Sequence, residues 1–256
     1  MIARFFLKAC NAVINTALIV CLLISGTYAV YALWDNNQVM TAAENVQADM
    51  IKLKPEVSDD GPTAEEAFAA LLDINSDVCG WVTMDNTQID LPILYGKDNL
   101  EYINKDVYGN FALAGSIFLD SRNDRNFRDP YSLLYGHHMA DHQMFGDLDL
   151  YKDETFFRTN RTGTLILPDR TYDLEVISCL LVSASNEYIF EPTDTLDNIQ
   201  GLLNYAEKKS LFVNEDVLER ARNTKNVKIL ALSTCSSEFT DARTIVLTVM
   251  DLHTAG

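Results

Sequence analysis

The sequence predicts a mainly β protein with helices, built as a closed eight-stranded β-barrel. Three observations point there. About eight short runs rich in β-branched and aromatic residues follow one another, separated by turn signals. One amphipathic helix is inserted among them, with Leu196, Ile199, Leu202, Leu203 and Ala206 at helical spacing between Thr195 and Lys209. The last two runs, Ile229 to Cys235 and Arg243 to Met250, flank a short polar loop and read as adjacent antiparallel strands.

In chain order, the first element is an uncharged apolar stretch from Ala12 to Trp34, long enough to cross a bilayer as a helix. Arg4 and Lys8 precede it and Asp35 follows. This asymmetry puts residues 1–11 in the cytoplasm, 12–34 in the membrane as a single-pass anchor, and the rest outside. Tyr28, Tyr31 and Trp34 suit the outer interface. A cleaved signal peptide ending near Val30-Tyr31-Ala32 and a buried core helix stay open as alternatives. Residues 35–72 read as a polar helical stalk and a second helix. That helix opens near Pro62, with Thr63 as N-cap and Glu66 completing a capping box. Phe68, Leu71 and Leu72 form its apolar face.

Residues 73–256 form the barrel domain. Strands are expected at Gly80–Met84, Ile89–Tyr95, Ser116–Asp120 and Tyr131–Tyr135, and at a hairpin of Thr164–Leu167 with Tyr172–Val182. Short helical pieces are expected at Asn99–Ile103 and Met144–Leu150.

Composition narrows the function. With 256 residues and 48% apolar content the chain can bury a sizeable core. The net charge of -17 argues against a nucleic-acid binder, which needs a cationic face. The five cysteines have no CxxC spacing, so neither a zinc framework nor a disulfide scaffold is indicated. A Cys79–Cys179 bridge stays open. His137, His138 and His142 cluster, but without HExxH or a nearby cysteine pair a metal site is the lesser reading.

Cys235 ends one strand, Arg243 opens the next, and His137 follows the strand-ending Gly136. A thiol becomes a useful nucleophile beside a cation or a base. Histidine can be either, and it can protonate a leaving amine. Arginine supplies a permanently charged fork of donors for an oxyanion. Together they suit acyl transfer, provided the fold brings them together. The bland alternative for Cys235 is a buried small hydrophobe.

Leu232-Ser233-Thr234-Cys235 with Arg243 eight residues on resembles the signature of the sortase family, and Tyr135-Gly136-His137-His138-Met139 resembles its histidine segment. Gly80-Trp81-Val82, Ile89-Asp90-Leu91-Pro92-Ile93, Gly96-Lys97-Asp98-Asn99, Ala114 to Asp120 and the long inserted helix are similar to the class B branch. The match runs from about Asp73 to Leu252. One departure is Ala231, where the family usually has threonine; a packing change is expected there. The resemblance implies a sortase-type barrel and a membrane-anchored cysteine transpeptidase of a Gram-positive bacterium. Such an enzyme cuts a C-terminal sorting motif of secreted proteins after Thr and holds the acyl group as a thioester. It then passes that group to an amine, on a cell-wall peptide precursor or a pilin lysine. By positional match Cys235 is the nucleophile, His137 the acid and base, and Arg243 the stabiliser of the intermediate. Asn99, Ile103, Tyr135, Tyr188, Ile189 and Ser233 match substrate-groove positions. No cofactor or metal is implied. A thiol protease acting mainly by hydrolysis and a non-catalytic surface binding module are the alternatives.

Overall fold

The computed structural model describes residues 2–55, 64–139, 142–234 and 242–253. Thr63 and Cys235 lie outside the described residues. The chain divides into two compact units, Met1–Ala42 and Ala43–Gly256. The first unit lies in the helix α1 (Ile2–Ile51). From Arg4 onward α1 is long and apolar enough to cross a membrane, and large side chains such as Leu22, Leu33 and Trp34 are exposed.

The second unit contains the barrel. After α2 (Ala64–Ile74) come β1 (Val78–Met84), β2 (Asp90–Leu94), β3 (Ile117–Leu119) and β4 (Tyr131–Gly136). A 3-10 helix (Gly146–Lys152) and α3 (Glu154–Thr159) lead to β5 (Thr162–Ile166) and the long β6 (Thr171–Ser183). Then follow α4 (Glu187–Phe190), α5 (Pro192–Leu196), α6 (Ile199–Lys209), β7 (Phe212–Val213) and α7 (Glu215–Asn223). The strands β8 (Ile229–Thr234) and β9 (Ala242–Leu252) end the fold. The strand order is β5-β1-β2-β3-β4-β8-β9-β6-β7, and β5 also pairs with β6. That extra pairing closes eight strands into a ring and leaves β7 outside on β6. Closure removes the open edges that a flat sheet would expose. Two neighbours, β2/β3 and β4/β8, are parallel, so the barrel is mixed.

Alternation sends one set of side chains inward. Val82, Ile93, Leu134, Leu165, Leu232 and Val246 fill the interior. Cys79 and Cys179 are free and buried in the same cluster, where burial pushes both thiols up to about 12. They are inert small hydrophobes. On the outer face, Leu133, Ala231 and Leu247 meet Leu202, Leu203 and Ala206 of α6 and Val217, Leu218 and Ala221 of α7. Ala231 is thus fully buried at a site of packing beneath these helices. A third cluster joins Met50 of α1, Phe68 and Leu71 of α2, and Trp81. Each fully buried leucine here is worth about 2 kcal/mol. Leu72, expected on the same face, is 36% exposed.

The expected helix from Thr195 to Lys209 is two helices. Pro192 opens α5, and the Asn198 side chain accepts from the Gly201 N–H to cap α6 afresh. This break sets the course of the connection after β6, which forms one wall of the groove described next.

Candidate active site

A groove of about 400 Å³ opens at one end of the barrel. It is lined by Asn99, Ile103, Phe118, Tyr135, His137, Ala184, Phe190, Glu191, Thr234 and Arg243. Strand pairing explains the convergence. The parallel strands β4 and β8 run in register from Tyr131↔Ile229 to Gly136↔Thr234. The residues that precede His137 and Cys235 are therefore direct neighbours. Arg243 arrives from β9, which is antiparallel to β8, and it pairs with Val182 at the end of β6. The Thr244 N–H donates to the Thr234 hydroxyl at 3.1 Å, tying the two strands at the same rim.

His137 is half-buried, and its Nε2 lies 2.8 Å from the Ile103 carbonyl oxygen. A carbonyl only accepts, so Nε2 carries the proton and donates. Nδ1 is left as the nitrogen that can take up and release a proton. The carbonyl is itself held in place. Gly115 adopts φ +59°, and a Cβ there would sit 2.2 Å from the Ile103 oxygen and 2.8 Å from that of Tyr102. Ser116 N–H donates to the Tyr102 carbonyl at 3.0 Å, and its hydroxyl to that of Lys105 at 2.7 Å. Only glycine combines this backbone conformation with this approach. Gly115→Ala is expected to displace the Ile103 carbonyl and lower kcat/KM by about tenfold. The melting temperature should fall with it, since a side chain forced to positive φ costs about 1 kcal/mol or more. Steady-state kinetics and a thermal melt check both.

The other two clustered histidines make separate pairs. His138 Nε2 contacts Asp149 at 3.0 Å, and His142 Nδ1 contacts Asp147 at 2.5 Å. Their i, i+4 spacing does not align them, because His138 bridges to Met144 and His142 sits at φ +66° rather than in a helix. Among the described residues no group of three or more metal-ligating side chains converges. Asp149 also accepts from Thr244 at 2.9 Å and pairs with Lys152 at 2.8 Å. Burial pushes its carboxyl up, but Lys152 and Thr244 outweigh that and hold it below the usual carboxylate range.

Of the expected groove residues, Asn99, Ile103 and Tyr135 line the groove with His137 and Arg243. The other three do not. Ile189 is fully buried against the barrel wall, with its carbonyl accepting from the Tyr131 hydroxyl at 2.9 Å. Ser233 is buried and donates to the Thr234 carbonyl. Tyr188 stacks on Tyr205 at 4.8 Å and lines a separate shallow pocket with Glu187 and Asp194. Phe118, Ala184, Phe190 and Glu191 line the groove without having been expected there. An aromatic row crosses its floor, with Tyr135 5.3 Å from Phe118 and 6.3 Å from Phe190 between ring centres.

A closed mixed barrel of eight strands with an extra strand and an N-terminal helix is the architecture of the sortase fold. Comparison with known proteins agrees. No family model matches the chain. Sortase B of Staphylococcus aureus is 26% identical over 243 residues, covering 95% of this chain and 96% of the relative. A solved class B sortase of Streptococcus pyogenes, involved in pilus biogenesis, is 38% identical with a TM-score of 0.65, covering 72% of this chain and 97% of that one. The Staphylococcus aureus sortase B–substrate complex is 27% identical with a TM-score of 0.67, covering 84% and 95%. The chain belongs to the class B sortases and is a sortase-type cysteine transpeptidase.

Proposed function

We propose that Cys235 attacks the carbonyl carbon of Thr in a C-terminal sorting motif of secreted proteins, and that His137 and Arg243 complete the site. The observation that carries this reading is the β4/β8 register: Gly136 and Thr234 are paired, and His137, Thr234 and Arg243 share one groove. The thiolate adds to the carbonyl carbon, and the oxyanion is met by the guanidinium of Arg243. The C–N bond then breaks, and the leaving amine takes a proton from Nδ1 of His137. An incoming amine next gives a proton back to His137 and attacks the thioester. The C–S bond breaks and Cys235 leaves as thiolate. One amide bond is exchanged for another, so the cycle needs no redox partner and no cofactor.

The acceptor is an amine on a cell-wall peptide precursor or a pilin lysine. The apolar part of α1 anchors the protein in the cell membrane as a single pass, with residues 1–11 in the cytoplasm and the barrel outside. Arg4 and Lys8 before the stretch and Asp35 after it support this orientation. An enzyme so anchored meets secreted donors as they emerge and acceptors at the wall.

The test uses the protein from residue 35 onward, with Cys235→Ala as control. Quenched peptides carrying Thr before the cut and Gly, Ala, Ser or Asn after it are offered together with an amine, and products are read by mass spectrometry. A ligated product, and a thioester adduct on the parental protein only, are expected. Cleavage that an amine never diverts into ligation would overturn the transpeptidase reading.

A further inference from the structure

The groove's two walls come from distant parts of the chain. One is the β2–β3 connection, with Asn99 and Ile103. The other is the connection after β6, with Ala184, Phe190 and Glu191. Between them lies a carboxylate that the chemistry above does not use. Asp120 directly follows β3 and its side chain is fully buried. It accepts from the Arg122 backbone N–H at 2.9 Å, from Arg122 Nε at 2.9 Å and from Nη2 at 2.8 Å. It also accepts from Asn99 Nδ2 at 2.9 Å and from the Tyr135 hydroxyl at 3.0 Å. Arg122 reaches on to the opposite wall. Its Nη2 donates to the Phe190 carbonyl at 2.7 Å, and its Nη1 meets Glu191 at 2.8 Å.

A buried charge is retained only where it is paired and fully hydrogen-bonded, and five donors satisfy this one. Burial pushes the Asp120 carboxyl up, but Arg122 and Tyr135 outweigh it and hold it below the usual range. The result fixes side-chain orientation on the groove lining. Asn99 is locked from both sides, because its Oδ1 accepts from the Ser121 N–H at 2.7 Å. Tyr135 spends its hydroxyl proton on Asp120, which fixes how its ring stands in the groove lining.

We infer that Asp120 and Arg122 are positioning residues for the sorting peptide: they brace the two walls at one separation and present Asn99 and Tyr135 in one orientation. This rests on the groove being the substrate site. Neither residue acts on the reacting atoms, so their loss should weaken peptide binding and leave the chemical step alone. Asp120→Asn keeps the shape but turns an NH2 toward N–H and O–H donors whichever way the amide lies. Arg122→Met keeps the aliphatic stem and cuts the link to Phe190 and Glu191. Arg122→Lys retains the charge but not the two-armed reach.

The experiment measures KM and kcat with the best-cleaved quenched peptide of the panel above, alongside the rate of Cys235 alkylation by iodoacetamide. Asp120→Asn and Arg122→Met should raise KM by about tenfold, with kcat within about threefold. Arg122→Lys should lie between them and the parent, and alkylation should be unchanged. An unaltered KM in folded Arg122→Met would overturn the inference. So would a fall in kcat at constant KM, which would mark a role in the chemistry. If Asp120→Asn or Arg122→Met does not fold, Arg122→Lys decides, because it keeps a cation beside the buried carboxylate. A parental protein that is alkylated at Cys235 yet cuts no peptide would instead overturn the transpeptidase reading, and this one with it.

Discussion

Cys235→Ala, His137→Ala and the double variant are expected to fall to one common floor, with kcat/KM for ligation reduced by about 10⁴ in each. The two residues act as a unit. Without the thiol there is nothing for His137 to deprotonate; without the imidazole the thiol stays largely protonated and the leaving amine goes unprotonated. Their losses therefore do not add. The geometry adds a second expectation, for His137→Gln. A glutamine amide can still donate to the Ile103 carbonyl, which His137 Nε2 meets at 2.8 Å. It would keep the local structure but could not take up and release a proton at neutral pH. Activity should be as low as in His137→Ala while the melting temperature stays near that of the parent. Single-turnover ligation and thermal melts on the four proteins check this. A double variant much slower than either single would mean that the two contribute independently.

The second large effect is expected from Arg243→Lys, a drop in kcat of about 10²–10³ with KM changed little. Arg243 opens β9 opposite Val182 and lines the groove beside Thr234. A strand-borne guanidinium offers several donors in a rigid plane, whereas lysine offers a mobile point charge. If charge alone mattered, Lys would keep most of the rate. A large loss means that directed donors carry the stabilisation. Arg243→Gln, which is uncharged but donates, should fall as far or further. Pre-steady-state measurement of acyl-enzyme formation isolates the step. An Arg243→Lys variant that forms the thioester at the parental rate would remove the arginine from the oxyanion role.

Much of this architecture was legible from local pattern. The β-type runs around Trp81, Ile93, Phe118 and Leu133 announce strands because alternation and turn residues act within a few positions. The hairpin of β5 and β6 was legible for the same reason. The helix expected from Thr195 was drawn too long. Leu196 and Ile199 fit one helical stripe, and the Asn198 cap that restarts α6 competes with that stripe over a single residue. The helix α7 was missed, although Val217, Leu218 and Ala221 carry an apolar stripe; nine residues among strong charges give a weak signal. The grouping of Asn99, Ile103, Tyr135, His137 and Arg243 along one groove follows from a resemblance of motifs, not from local pattern. Asp120 ends the Ala114 to Asp120 motif and Arg122 lies just beyond it, yet their contacts are with Tyr135, Phe190 and Glu191, which no local spacing connects. Tyr188 and Ile189 show the converse. Adjacent in sequence on the groove-wall connection, they turn to a neighbouring pocket and to the core.

The parallel pairing of β4 with β8 has a kinetic side. Parallel strands cannot be joined by a tight turn, and here β5, β6, β7 and five α-helices lie between the two. This pairing ranks among the most non-local in the chain, and contacts of that kind carry the largest loop-closure cost and form slowly. An emerging polypeptide therefore holds its histidine and its cysteine apart until the C-terminal strands dock. Nascent or partly unfolded chains would be catalytically silent, and a misfolded copy stalled before docking would not cut passing proteins. Recovery of ligation on refolding should accordingly lag behind recovery of far-ultraviolet ellipticity, because helices and the local hairpin form first.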